Sequence, residues 1–218
     1  MNSPLIQLLV LAAIAVFLIL RLKNVLGTRE GFEKPPLPTP AAQRSGPAFE
    51  VIEGGPDLDI TDHFDEGTAQ ARALAEMKRI EPSFNVTDFL AGARGAYEMI
   101  VMGYERGELD EIKAFLSEDI YESFVDGVAA REDQGLTIEA NFIGVREMSL
   151  ENVTLDPDTK EAEMTLKFVA ELTQAVRNKE GEIVEGSITD AKKQKDTWVF
   201  ARIMGSDDPN WFLVSTDG

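Results

Sequence analysis

Hydrophobic and polar positions divide the chain into three stretches with different periods. Residues 5–20 read LIQLLVLAAIAVFLIL, sixteen positions with one polar interruption at Gln7 and no charge. Extended through its tolerant flanks from Ser3 to Leu26, this run as a helix would be roughly 36 Å long. That is enough to span a hydrocarbon core of about 30 Å. The spacing predicts a transmembrane anchor over residues 1–26, built on Leu5, Leu9, Ile14, Phe17 and Leu20, with Arg21 and Lys23 placed to snorkel into the headgroups. No basic residue precedes the run, and RLKNVLGTRE rather than a small-residue cleavage site follows it, which argues against a cleaved signal peptide.

Periodicity disappears over residues 27–62, where PPLPTP, AAQRSGP and EGGP mark a flexible Pro/Gly-rich linker. It returns in the domain from residue 63 to 218, at first with a period near 3.6. EGTAQARALAEMKRI (66–80) predicts a helix ended by Glu81-Pro82. Ser83 or Asn85 is the next N-cap signal, with Asp88 in the first turn, and a helix through Arg106 places Phe89, Ala93, Ala96, Ile100 and Gly103 at three-to-four spacing. Its small residues Gly92, Ala93, Gly95 and Ala96 imply a close neighbour. Gly107 closes it, 110–116 is a short helix, and Ser117 caps another with the face Ile120, Phe124, Val128 and Arg131, ending near Gly135.

After Leu136 the period becomes two. TIEANFIGV and SLENVTLD precede a DPDTK turn, and AEMTLKFVAEL sets Met164, Leu166, Phe168, Ala170 and Leu172 on one face. NKEG, then TWVFARIM, GSDDPN and WFLVS continue the series of turns and strands. Helices followed by an antiparallel meander predict an α+β domain with helices on one sheet face.

Charge adds orientation and excludes a class. Arg21, Lys23 and Arg29 follow the apolar run and none precedes it, so the positive-inside rule leaves the C-terminal domain in the cytoplasm. Residues 1–50 carry a net charge of +2 and the remainder −20, which disfavours nucleic acid as a partner. The absence of cysteine fits a reducing compartment. Together these place the protein in a bacterial inner membrane.

Catalytic chemistry finds little support. His63 is the only histidine and sits beside Asp62 and Asp65 as a surface residue would; without cysteine, neither zinc sites nor thiol nucleophiles are expected. Glycine-rich phosphate cradles are absent, and Glu139, Glu163 and Asp196 occupy positions compatible with an outward-facing strand surface. No metal or cofactor is expected, and the protein reads as a non-enzyme. The stronger site candidates are aromatic: Tyr97, Phe142, Phe168, Trp198, Phe200 and Trp211. Some must build the core; any that line an open pocket would accept an apolar peptide side chain or a lipid tail. Lys78-Arg79 and Lys192-Lys193-Lys195 read as solvated faces. Asp196, Arg202 and Asp208 read as fold maintenance, with Arg202 paired to a nearby carboxylate.

Residues 89–124 (FLAGARGAYEMIVMGYERGELDEIKAFLSEDIYESF), the REDQG at 131–135, DTWVFAR at 196–202 and DPNWFLVST at 208–216 together resemble the Tim44-like domain. The resemblance covers about residues 66–216, and the anchor and linker ahead of it resemble alphaproteobacterial-type, membrane-anchored adaptors of that family. It implies an NTF2-like fold, a cone of helices packed on a curved four-stranded antiparallel sheet with a pocket at its open end. Mitochondrial relatives tether an Hsp70 import motor to the presequence translocase, and another is a mitoribosomal subunit facing the membrane. The long N-terminal region that serves the motor has no match in residues 1–62, so motor binding is not carried over. The family's cardiolipin contact needs basic or apolar surface. The expected function is tethering of protein-transport or membrane-complex-assembly partners at the inner membrane. The alternative is a module binding a lipid or other small apolar ligand.

Overall fold

Side-chain caps set the helix boundaries of the computed structural model, which describes residues 56–217. The transmembrane anchor read over residues 1–26, with Leu5, Leu9, Ile14, Phe17, Leu20, Arg21 and Lys23, and most of the 27–62 linker lie outside the described residues. Among the described residues no helix is long and apolar enough to cross a membrane.

Asp57 caps a short helix α1 (Leu58–Thr61), which arises inside the segment that composition assigns to the linker. Thr68 caps α2 (Ala69–Ile80) through the Ala71 amide. Asn85 caps α3 (Val86–Arg106) through the Asp88 amide at 3.0 Å. The other free amides of that helix end go to α1: the Asp59 carboxylate accepts from Val86 N at 2.8 Å and Thr87 N at 3.0 Å. Gly107 ends α3 at φ 74°, a left-handed conformation that glycine adopts without a Cβ penalty. A one-turn helix α4 (Leu109–Ile112) and a 3₁₀ turn (Lys113–Phe115) follow. Ser117 then caps α5 (Glu118–Asp133) through the Ile120 amide.

The strands are β1 (Thr137–Leu155), β2 (Glu161–Arg177), β3 (Ile183–Ile203) and β4 (Phe212–Asp217). They form one antiparallel sheet in the order β1-β2-β3-β4, the expected meander. β1 is one strand where the sequence suggests two. Register shifts at Phe142/Gly144, Val145/Glu147 and Leu150/Asn152 break its alternation, and bulges of this kind bend and twist a strand.

β3 starts at Ile183, fourteen residues earlier than the TWVFARIM strand read from the sequence. Most of residues 183–195 are exposed on both faces, so no apolar alternation marks them. A wide bulge interrupts the segment: pairing passes from Leu172↔Lys192 to Gln174↔Ser187, leaving Ile188–Ala191 opposite Thr173 alone. Ser187 Oγ accepts the Thr189 and Asp190 amides within it. At Gly186 (φ 74°) a Cβ would lie 2.1 Å from the Gln174 carbonyl, so only glycine fits there.

The core lies between α2, α3 and one sheet face. Leu74 and Met77 of α2, and Val86, Tyr97 and Ile100 of α3, are fully buried against Met164, Leu166, Phe168, Ala170 and Phe200. Each large apolar side chain buried in this way contributes about 1.5–3 kcal/mol. Helix α5 has no fully buried residue. Tyr104 of α3 holds it: the ring packs 4.5 Å from Phe124, and its hydroxyl lies 2.6 Å from where a Cβ on Gly127 would be. Arg131 caps the same ring at 4.6 Å and donates to the Tyr104 carbonyl at 2.6 Å.

Candidate functional site

Helix α3 buries one face and leaves the other to form the floor of a groove. Phe89, Ala93, Tyr97 and Ile100 point inward, whereas Gly92, Gly95 and Met99 are exposed. A Cβ built on Gly92 or Gly95 would meet nothing within 4 Å. The close neighbour expected from the small residues of this turn is therefore absent among the described residues. The tight contact lies two turns on, where a Cβ on Gly103 would sit 2.6 Å from Ile112 Cγ2.

Two hollows meet on this face at Gly92, Ala96 and Phe115. The first, about 350 Å³, lies over the N-terminal half of α3 and is walled by Phe84, Phe89, Phe200 and Trp211. Phe89 and Trp211 pack with ring centroids 4.7 Å apart. The second, about 680 Å³, continues over Met99 and Met102 to Phe142 of β1. Acidic residues edge both: Asp88 the first, and Glu98, Glu108 and Glu111 the second. Arg106 stands among the latter and approaches Glu108 at 3.8 Å.

The deep end of the first hollow is electrostatically organised. Arg202 is buried, donates to the Pro209 carbonyl at 3.0 Å and to the Glu81 carboxylate, and lies 5.5 Å from the Trp211 ring centre. The expected carboxylate partner thus comes from the end of α2, 121 residues away in the chain. The Arg202 guanidinium holds the Glu81 carboxyl below the usual carboxylate range, against the opposing effect of burial and with help from the Gly205 amide. Arg202 Nε has no hydrogen-bond partner among the described residues.

The six aromatic candidates are divided between core and groove. Tyr97 and Phe168 have no exposure and stack at 4.3 Å; Trp198, 4.6 Å from Tyr97, is 4% exposed. Phe142 and Trp211 are half-buried and line the second and first hollows, and Phe200 contributes its edge to the first. Met99, Met102 and Phe115 join them, and nothing in the sequence distinguished Met102 and Phe115 from ordinary core positions.

Asp196 corrects an expectation. It points inward rather than outward, 7% exposed, and accepts hydrogen bonds from the Tyr97 hydroxyl and from Gln194 Nε2 at 2.9 Å. Strand parity explains this, because 196, 198 and 200 share the core face. Burial first, and then the Asp196 carboxylate, push the Tyr97 hydroxyl far above the ordinary tyrosine range, so it remains a donor. Glu139 and Glu163 are exposed as expected.

His63 is half-buried, and no cluster of three or more His, Cys, Asp or Glu suited to a metal occurs among the described residues. Of the two basic clusters, Lys78 is held by Asp57 at 2.7 Å and Asp59 at 2.8 Å, and Arg79 by Glu76 at 2.5 Å. Lys192, Lys193 and Lys195 are exposed and border a third hollow, between α3, α5 and β3. Asp208 holds the turn before β4 by accepting from Asn210 N at 2.9 Å.

The subunit TIM44-1 of the mitochondrial import inner membrane translocase of Arabidopsis thaliana is 23% identical over 128 residues, covering 59% of this chain. The match spans only 27% of that protein's length. A solved structure, the intermembrane space region of the chloroplast protein ARC6, aligns at 14% identity over 57% of this chain and 94% of its own, with a TM-score of 0.36. That likeness is too loose to bear on the fold. The Tim44-like domain matches residues 70–218, from the first turn of α2 onward, and the chain belongs to the Tim44-like domain family.

Proposed function

We propose that this protein is a non-enzymatic adaptor that presents its groove to protein partners at a membrane, in protein transport or in assembly of membrane complexes. The observation that carries this reading is the open apolar face of α3, with two hollows, exposed glycines and an acidic edge. Kinship with an import translocase subunit supports a role in protein transport. The domain is read as an NTF2-like cone, which the long, bulged sheet covered by helices on one face supports.

The mechanism is tethering. Residues 1–26 are read as a single-pass anchor in a bacterial inner membrane, residues 27–62 as a linker, and the domain from 63 as cytoplasmic. A linker of that length has a reach of roughly 30 Å. It would hold the groove near the bilayer and raise its effective concentration for a membrane-associated partner.

The test is photo-crosslinking in cells with probes at Met99, Phe142 and Trp211. The adaptor reading requires crosslinks to membrane-complex subunits or nascent chains that vanish when residues 1–26 are deleted. A second reading rests on the 350 Å³ hollow and its aromatic walls, which suit a small apolar ligand or lipid tail. Silent probes with a lipid co-purifying would replace the first reading by the second.

A further inference from the structure

We infer that the occupant of the groove is a single α-helix of a partner protein, with small and apolar residues on its docking face and lysines or arginines beside it. This rests on the adaptor reading and specifies the shape and charge of its partner.

Shape comes first. From Asp88 to Arg106 the groove follows α3 for about 27 Å, so its floor is long and narrow rather than round. Gly92 and Ala96 sit four residues apart on that floor, with Gly95 beside them, and neither glycine is occluded by any described side chain. Small residues at this spacing let a second helix approach closely, at the short end of the usual 8–10 Å interaxial range. Met99 and Met102 extend the floor with side chains that adapt to what lies on them. Helix-in-groove recognition uses anchors at this i, i+4, i+7 spacing.

Charge selects among helices. Asp88, Glu98, Glu108 and Glu111 edge the groove, and among the described residues that line it Arg106 is the one cation apart from buried, carboxylate-paired Arg202. A second copy of this chain would bring the same acidic edge against itself. A helix with basic flanks would meet complementary potential along its length.

The test uses the full chain in phosphatidylcholine nanodiscs, titrated with a fluorescent synthetic helix of about 18 residues that matches the groove length. The peptide carries an Ala/Leu stripe flanked by lysines, and binding is read by anisotropy. The expected result is a saturable one-to-one complex that weakens as salt rises from about 50 to about 300 mM. Gly95→Leu should weaken it about tenfold or more by filling the floor, without lowering Tm, because leucine there meets open space. Glu98→Lys with Glu111→Lys should weaken it while leaving the floor intact. A proline-interrupted peptide of the same composition should not bind. Equal binding by that peptide, or indifference to Gly95→Leu, would overturn the inference. Self-association abolished by Gly95→Leu would also overturn it, in favour of a second copy. If no helix binds but Met99 still crosslinks partners in cells, the helix inference fails and the adaptor reading stands. If Met99 captures nothing in cells, the adaptor reading fails with it.

Discussion

Asp59 joins three helices with one carboxylate. It sits in α1, pairs with Lys78 of α2 and accepts the first two amides of α3. Burial pushes its carboxyl up, but the Lys78 ammonium and the Val86 and Thr87 amides outweigh that and hold it well below the usual carboxylate range. A depressed folded value means the contribution is complete above the unfolded carboxylate pKa of about 4 and is lost as pH falls from there through the folded value. Asp59→Asn should therefore cost about 1–2 kcal/mol at pH 7, measured by urea unfolding, and the difference from the parent should shrink below about pH 4. Glu81→Gln should be costlier. It leaves Arg202 buried without its counter-charge, for about 3 kcal/mol and a Tm lower by roughly 10 °C. That Arg202 needs a carboxylate was legible in the sequence, but which one was not, because Glu81 stands 121 residues away and reaches it only in the folded domain.

At the scale of elements, α3 gives paired expectations at two glycines. Gly95→Ala adds a methyl into open space and removes a poor helix former, so it should stabilise the domain by about 0.5–1 kcal/mol. Gly103→Ala places its methyl 2.6 Å from buried Ile112 and should destabilise by about 1–3 kcal/mol. Thermal melts of the two variants should move in opposite directions. The sequence places Gly103 on the apolar face of the helix and Gly95 off it, and the position of α4 turns that difference into a contact at Gly103. Caps were more legible: Asn85, Gly107 and Ser117 act as their residue types and neighbours suggest. The distal half of β3 was not. A strand is visible in sequence when one face is dry, and GSITDAKKQK has both faces wet, a bulge, and lysines. Those features also suit an edge strand that avoids pairing with another molecule. Parity along the same strand carried the information that Asp196 faces inward beside Trp198 and Phe200; its charge pointed the other way.

The molecule as a whole is strongly acidic. Residues 51–218 carry a net charge of −20, and Asp88, Glu98, Glu108 and Glu111 bring part of it to the groove. The α+β class and the meander were readable from the change of period at Leu136, and the family from segments that now line α3 and the β3–β4 turn. The groove itself was not readable, since small residues on a helix read as room for a close neighbour whether or not one is there. The central claim is that this face of α3, and no other surface, receives partners. The most direct measurement places photo-crosslinkers singly at Met99 and, as controls at exposed positions of β3 outside the groove, at Ile188 and Ile203, in cells with the whole chain. The account predicts discrete partner crosslinks from Met99 that disappear with Gly95→Leu, and none from Ile188 or Ile203. Equal crosslinking from all three positions, or crosslinks from Met99 that survive Gly95→Leu, would contradict it.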